Sequence, residues 1–275
     1  MSRGSLIVAG TGIKAVGHVT LETRTLIERA GTLLYMVADP ATGAWIRELN
    51  PRAESLEPYF ADGRTRWDAF QLIIERILDE VRGGADVCAV FYGHPGVFVY
   101  MSHEAIRRAR VEGFDASMLP GISAEDCLIA DLGVDTAAIG YACLEASYFL
   151  IQRRRPDTAS ALILWQIGVI GQFHAEFTGT ATDGLAMLTE ALLQHYPAQH
   201  QVIVYEAAIF PVCDPFIRTV ALADLPKVPV SRISTLYVPA AIEPSTDPEM
   251  MRRLGMAAEG PSRRPSSVDI PGSSR

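Results

Sequence analysis

The chain has 275 residues, 49% apolar and 20% charged, enough to bury one large core or two ordinary ones. Its formal net charge of −8 argues against a nucleic-acid backbone or an anionic membrane as the main partner. No apolar run approaches a membrane span, and "MSRGSLIVAGTG" is too short in apolar residues for a secretory signal, so a soluble cytoplasmic protein is expected.

"SLIVAG" predicts a strand ending at Gly10. "TLETRTLIERAG" predicts a helix with Thr20 as N-cap and Gly31 as its stop. "TLLYMV" is the next strand. Phe70, Ile73, Ile74, Ile77, Leu78 and Val81 recur at helical spacing, and Gly83 with Gly84 ends that helix. "VCAVFY" is a third strand. "SHEAIRRARVEG" reads as a polar helix capped by Ser102 and stopped by Gly113, and "DASMLPG" as a short strand and turn. This alternation implies a mostly parallel sheet covered by helices.

A second region opens at "PGISAEDCLIADLG", where Ser123 followed three residues later by Asp126 has the form of a capping box. The strands "IGYACLEA", "ALILWQIG", "HQVIVYEAA" and "ISTLYVPA" follow, with the helix "DGLAMLTEALLQHY" among them. The expected fold class is α/β, with an N-terminal α/β domain over 1–120 and a C-terminal α/β domain over 121–241. Residues 242–275, rich in Pro, Ser and Arg, are expected to form a disordered tail.

"AGTGIKAVG" after the first strand is not a dinucleotide fingerprint. Gly17 comes too late for the third glycine, and no acidic residue stands at the ribose distance. Neither a phosphate-binding G-x-x-x-x-G-K-[ST] nor a G-x-S-x-G elbow occurs. His18, His94, His103, His174, His195 and His200 lack partners at ligand spacing, so no metal site is expected, and His195 and His200 should face solvent. Cys88, Cys127, Cys143 and Cys213 form no C-x-x-C and read as free thiols.

The stretch "YGHPGVF" places His94 between two glycines and then runs into Val97, Phe98, Val99 and Tyr100. "GTG", "YGHPGVF" and "LPGISAED" all fall where strands of an open α/β sheet deliver ligand-binding loops. On these strings, with "VAGTGIKAVGHVTLETRTLIERA", "LLYMVADPATGAWIRELNP" and "LILWQIGVIG", the chain resembles the tetrapyrrole-methylase superfamily of S-adenosylmethionine methyltransferases. Within it, the chain looks most like the borosin peptide backbone N-methyltransferases, over roughly residues 4–240.

The resemblance implies two α/β domains with S-adenosylmethionine in the cleft between them, and a homodimer. It implies that Gly10 lies at the cofactor and that Tyr92, His94, Val97 and Phe98 wall one side of it. Ser123 and Ala124 would touch it through the next loop, and Gln166, Ser234, Thr235 and Leu236 would hold its adenine end. Arg66 matches the family's catalytic arginine, which can stabilise charge on the substrate amide oxygen.

Phe60 and Phe70 stand where the family has tyrosine, and phenylalanine can neither donate nor accept a proton. Three outcomes stay open: Tyr59 and Tyr92 carry the polar work, the substrate is easier than an amide, or activity is low or absent. From the residues alone, Phe70 begins a core stripe and Arg66 is a solvated charge. Some borosin enzymes carry their own substrate as a C-terminal extension rich in Val, Ile and Gly. The polar tail here predicts a separate precursor peptide. The alternatives are a small-molecule or tetrapyrrole methyltransferase, and a cofactor- or peptide-binding homologue without catalysis.

Overall fold

The first strand, β1 (Ser5–Gly10), is buried on alternate residues at its start and on every residue at its end, as expected of a central strand covered on both faces. It belongs to a computed structural model that describes residues 4–60, 64–172 and 182–256. The chain divides into two units, and the division falls between Cys127 and Leu128. Residues 207–214 group with the first unit, where Ala15 N–H donates to Ile209 O at 2.7 Å.

In the first unit β1 is followed by α1 (Leu21–Arg29), β2 (Thr32–Met36), α2 (Pro40–Leu49), β3 (Glu54–Ser55), α3 (Arg66–Arg82), β4 (Asp86–Phe91), α4 (Tyr100–Val111), β5 (Asp115–Met118) and the start of α5 (Ala124–Leu132). The five strands lie in the order β3-β2-β4-β1-β5, and every pairing is parallel. Thr20 caps α1 as expected, its hydroxyl accepting Thr23 N–H at 3.1 Å. The helix ends at Ala30, one residue before the expected glycine.

The stripe of α3 is observed at Ile73, Ile74, Ile77, Leu78 and Val81, all fully buried against Leu6, Val8 and Phe91 of the sheet. Phe70 is only partly buried at its edge. The helix α4 begins at Tyr100, not after Ser102. Ser102 lies buried in its first turn, and Val99 at the N-cap makes no side-chain bond. The helix α2 was not anticipated, although Asp39 caps it and Pro40 sits at its first turn.

The second unit holds the rest of α5, then α6 (Thr136–Ile139), β6 (Tyr141–Glu145), α7 (Ala146–Ile151), β7 (Ala161–Trp165), α8 (Thr182–Leu193), β8 (Gln201–Glu206), β9 (Phe216–Ala221), β10 (Thr235–Val238) and α9 (Pro248–Arg253). Its sheet has the order β6-β7-β10-β8-β9. Only β6 and β7 pair in parallel. Leu185, Leu188 and Leu192 of α8 bury one face against Leu164, Val204 and Leu236.

The six residues of α9 are helical within the stretch expected to be without structure. Residues 257–275 of that stretch, and His174, lie outside the described residues. None of the four cysteines is in a disulfide. Cys88 and Cys127 are buried, and Cys213 is exposed. His200 is not at solvent as expected: it is half-buried, stacks on Tyr196 at 5.1 Å and bonds Pro239 O at 2.9 Å.

Candidate functional site

The first sheet contains a point where its winding reverses. The connection leaving β1 runs past β4 to β2, and the one leaving β4 runs past β1 to β5. Adjacent parallel strands whose crossovers depart in opposite directions leave a crevice beyond their C-terminal ends. β1 runs out there into Gly10-Thr11-Gly12, and β4 into Tyr92-Gly93-His94-Pro95-Gly96.

These loops are fastened together. Gly12 N–H donates to Gly93 O at 3.1 Å, and Gly93 N–H returns a bond to Gly12 O at 3.0 Å. Both glycines have a φ of +72°, a region that favours glycine. A Cβ on Gly10 would fall 2.1 Å from Gly93 O and 2.7 Å from Pro95 Cδ. Gly121, in the loop after β5, would meet the same Gly93 O at 2.7 Å and Gly10 Cα at 3.2 Å. Three strand-end loops therefore touch backbone to backbone. The close packing of Gly10 is against the Gly93 loop, a role distinct from the cofactor contact expected for it.

His94 shapes the turn it sits in. Its Nδ1 accepts Gly96 N–H at 2.9 Å, and its carbonyl accepts Val97 N–H at 3.0 Å. The neutral ring therefore carries its proton on Nε2. His103 Nε2 donates to Gly96 O at 2.9 Å from the far side of the turn. Phe98 follows with φ +57° and remains 47% exposed. Among the described residues four non-glycines adopt this left-handed conformation, and two of them, Phe98 and Gln166, are expected cofactor residues. Such strain persists only where the surroundings impose it, and it gathers at ligand sites.

Tyr92 is half-buried beside the same crevice, its N–H bound to Met36 O at 3.0 Å. Burial pushes its phenol up to about 12, with Cys127 and Asp39 adding to the shift. Ser123 forms the expected capping box: its N–H and hydroxyl both reach Asp126 Oδ2 at 2.7 Å, and its hydroxyl accepts Asp126 N–H at 3.2 Å. Ala124 is the first residue of α5, where helix geometry leaves backbone N–H groups without intrahelical partners.

Arg66 opens α3, capped by Thr65, with its guanidinium 5.8 Å from the centroid of the Phe70 ring. Phe70 meets Phe60 edge-on at 6.0 Å and Tyr100 at 6.1 Å, and Tyr100 meets Trp67 at 5.2 Å. Tyr59, like Phe60 and Phe70, is partly buried against the core of the first unit, and its carbonyl accepts from Arg64 at 3.2 Å. Tyr100 and Trp67 were not singled out from the sequence. Their signal was an aromatic in the first turn of each of two helices.

In the second unit Gln166 (φ +60°) follows β7, and Ile167 N–H beside it donates to Ser234 O at 3.1 Å. Ser234, Thr235 and Leu236 are buried at the start of β10, and Leu236 belongs to the core. Among the described residues no three His, Cys, Asp or Glu gather as a metal site. No described helix is long and apolar enough to cross a membrane.

Residues 5–211 match the family described as tetrapyrrole (corrin/porphyrin) methylases, whose members use S-adenosylmethionine. The chain is 41% identical over 261 residues to a methyltransferase/ribosomally synthesized cyclic peptide dendrothelin A precursor of Dendrothele bispora, and 40% identical over 261 residues to the corresponding omphalotin A precursor of Omphalotus olearius. Each match covers 94% of this chain and 63% of the relative, so the chain spans under two thirds of their length. A type I borosin cyclic peptide precursor of Gymnopilus junonius is 42% identical over 258 residues, covering 92% of this chain and 61% of its own. The crystal structure of uroporphyrin-III-C-methyltransferase from Thermus thermophilus has the same fold, with a TM-score of 0.61 at 18% identity over 94% of this chain and 99% of that one. The two-unit α/β architecture and the sequence match together place this chain in the tetrapyrrole methylase family.

Proposed function

We propose that this chain is an S-adenosylmethionine-dependent methyltransferase that N-methylates backbone amides of a precursor peptide supplied as a separate chain. The observation that carries the reading is the bridged pair of glycine loops at the reversal point of the first sheet, in a chain about 40% identical to borosin precursors.

The loops fit the cofactor chemically. Residues 92–98 and 119–124 contain no lysine or arginine, so they do not favour a phosphate, while their carbonyls and the exposed Phe98 face suit a sulfonium cation. S-adenosylmethionine would supply, when bound, an electrophilic methyl for the amide nitrogen, with S-adenosylhomocysteine as the leaving group and the amide proton passing to water. Tyr92, His94, Val97 and Phe98 wall the cofactor, with Ser123 and Ala124 at the next loop. Gly10 keeps that wall closed, and Gln166 with Ser234, Thr235 and Leu236 serves the adenine end. Arg66 stabilises negative charge on the substrate amide oxygen as the proton departs. Tyr92 stays a neutral phenol at physiological pH and acts as a hydrogen-bond donor. Tyr59 supplies a second phenol on the substrate side.

The protein works in the cytoplasm as a twofold dimer, the commonest symmetric assembly. A second reading, a homologue that binds cofactor or peptide with little turnover, is favoured by the absence of a hydroxyl at Phe60 and Phe70. A third, a small-molecule or tetrapyrrole methyltransferase, is favoured by the family's breadth.

The test incubates the protein with S-adenosylmethionine and a borosin-type precursor peptide and reads fragment masses. Methyl increments on backbone nitrogens are expected. S-adenosylhomocysteine release only with a tetrapyrrole would sink the peptide reading, and tight cofactor binding without turnover would favour the second.

A further inference from the structure

Glu206 closes β8, and a single oxygen of its carboxylate takes two serine hydroxyls. Ser231 Oγ donates to Glu206 Oε1 at 2.7 Å, and Ser234 Oγ donates to the same oxygen. The serines also bind each other. Ser234 Oγ accepts Ser231 N–H at 2.7 Å, and Ser234 N–H donates to Ser231 O at 3.1 Å. Ser231 Oγ accepts Ile233 N–H at 3.3 Å. Residues 231–234 thus form a turn tied to itself and anchored by one carboxyl oxygen that takes two hydroxyl donors.

This turn in turn carries Gln166. Ile167 N–H donates to Ser234 O at 3.1 Å, and a Cβ on Gly168 would fall 1.9 Å from Ser231 O. The two turns therefore meet backbone to backbone, next to a glutamine held in the left-handed region. Ser234 has its N–H, its carbonyl and its hydroxyl all engaged inside this network and is fully buried.

We propose that Glu206 is a positioning residue for cofactor recognition, acting through the 231–234 turn to hold Gln166 in its binding conformation. This rests on the reading of Gln166 as a cofactor residue. It changes the role of Ser234 from contacting the cofactor to holding the turn.

The experiment measures the S-adenosylmethionine dissociation constant by calorimetry, together with KM and kcat. Wild type, Glu206→Leu, Glu206→Gln and Ser231→Ala are compared. Leucine removes the acceptor, and an affinity loss of about 10-fold is expected, with KM for S-adenosylmethionine rising in parallel and kcat at saturation within about 2-fold. Glutamine keeps an acceptor oxygen and should recover most of the affinity, which a purely structural role would not require. Ser231 is exposed, so Ser231→Ala should fold even where Glu206→Leu does not, and should weaken binding about 3-fold. Wild-type affinity in Ser231→Ala and Glu206→Leu would overturn the proposal while leaving the cofactor reading standing. A loss of kcat at unchanged affinity would also overturn it. Failure of the wild type itself to bind S-adenosylmethionine would overturn the cofactor reading and this proposal together.

Discussion

Gly12 and Gly93 exchange both of their backbone hydrogen bonds, at 3.1 Å and 3.0 Å, and so join the ends of two neighbouring parallel strands whose connections leave in opposite directions. This bridge lies outside the sheet proper, where a parallel ladder would ordinarily splay into separate loops. It places Gly10, His94 and Gly121 against one another, and it exists because none of the glycines brings a Cβ into the contact.

Gly10→Ala is expected to separate the loops. The new Cβ meets a carbonyl oxygen at 2.1 Å, and backbone cannot step aside as a side chain would. We expect a loss of about 1–3 kcal/mol in chemical denaturation and at least about 10-fold in S-adenosylmethionine affinity. Gly31→Ala is the control, since nothing lies within 4 Å of its added Cβ, and its stability should be unchanged or slightly raised.

Phe70→Tyr should increase the peptide N-methylation rate. The ring already lies 5.8 Å from the Arg66 guanidinium and against Tyr100, so a hydroxyl joins a cluster that holds a cation. Stability should change by less than about 1 kcal/mol because the position is only partly buried. Unchanged or lower turnover would mean that Phe70 does not mark a missing phenol. Arg66→Ala should lower kcat by about 100-fold if the guanidinium stabilises the developing charge.

Tyr92→Phe tests whether this phenol donates or titrates. Its folded pKa of about 12 lies above the usual phenol value, so it remains protonated through the working range. We expect a lower kcat with the shape of the pH–rate profile between about pH 6 and pH 9 unchanged. Because the folded value is raised, its contribution to stability is complete below about pH 10 and is lost as pH rises through about 12. Wild type should therefore lose melting temperature more steeply than Tyr92→Phe across that window.

Glu104 gives the opposite sign. Hydrogen bonds from Arg107, then Arg108, hold its carboxyl down at about 2. Its contribution is present above the ordinary carboxylate value and is lost as pH falls from about 4.5 through 2. Arg108 also reaches Glu75 and Gln71 of α3, so acid should loosen the α3–α4 pair. Glu104→Gln should cost about 1 kcal/mol at neutral pH and flatten the acid limb of the melting-temperature profile.

Much of the first unit was legible because its strands are short apolar runs bounded by glycine, and α3 repeats its apolar residues at helical spacing. The start of α4 was misplaced because Ser102 has the chemistry of a cap. The chain instead becomes helical at Tyr100, straight out of the strained Phe98. The helix α2 was missed although Asp39-Pro40 announces it, since Gly43 weakens its helical pattern. Arg66 and Tyr92 could be chosen by resemblance, whereas the contact of Tyr100 with Phe70 joins two helices that no local pattern pairs.

The sequence by itself determined where most of the strands and helices lie and which loops are glycine-rich. Those properties follow from local chemistry and near-neighbour periodicity. Only the tertiary structure decided the strand order that puts the Gly12 and Gly93 loops side by side, and the burial that keeps Tyr92 protonated. It alone joined Glu206 to two serines more than twenty residues away. Each of these depends on groups distant in sequence being brought within hydrogen-bonding or contact distance, which no local pattern specifies.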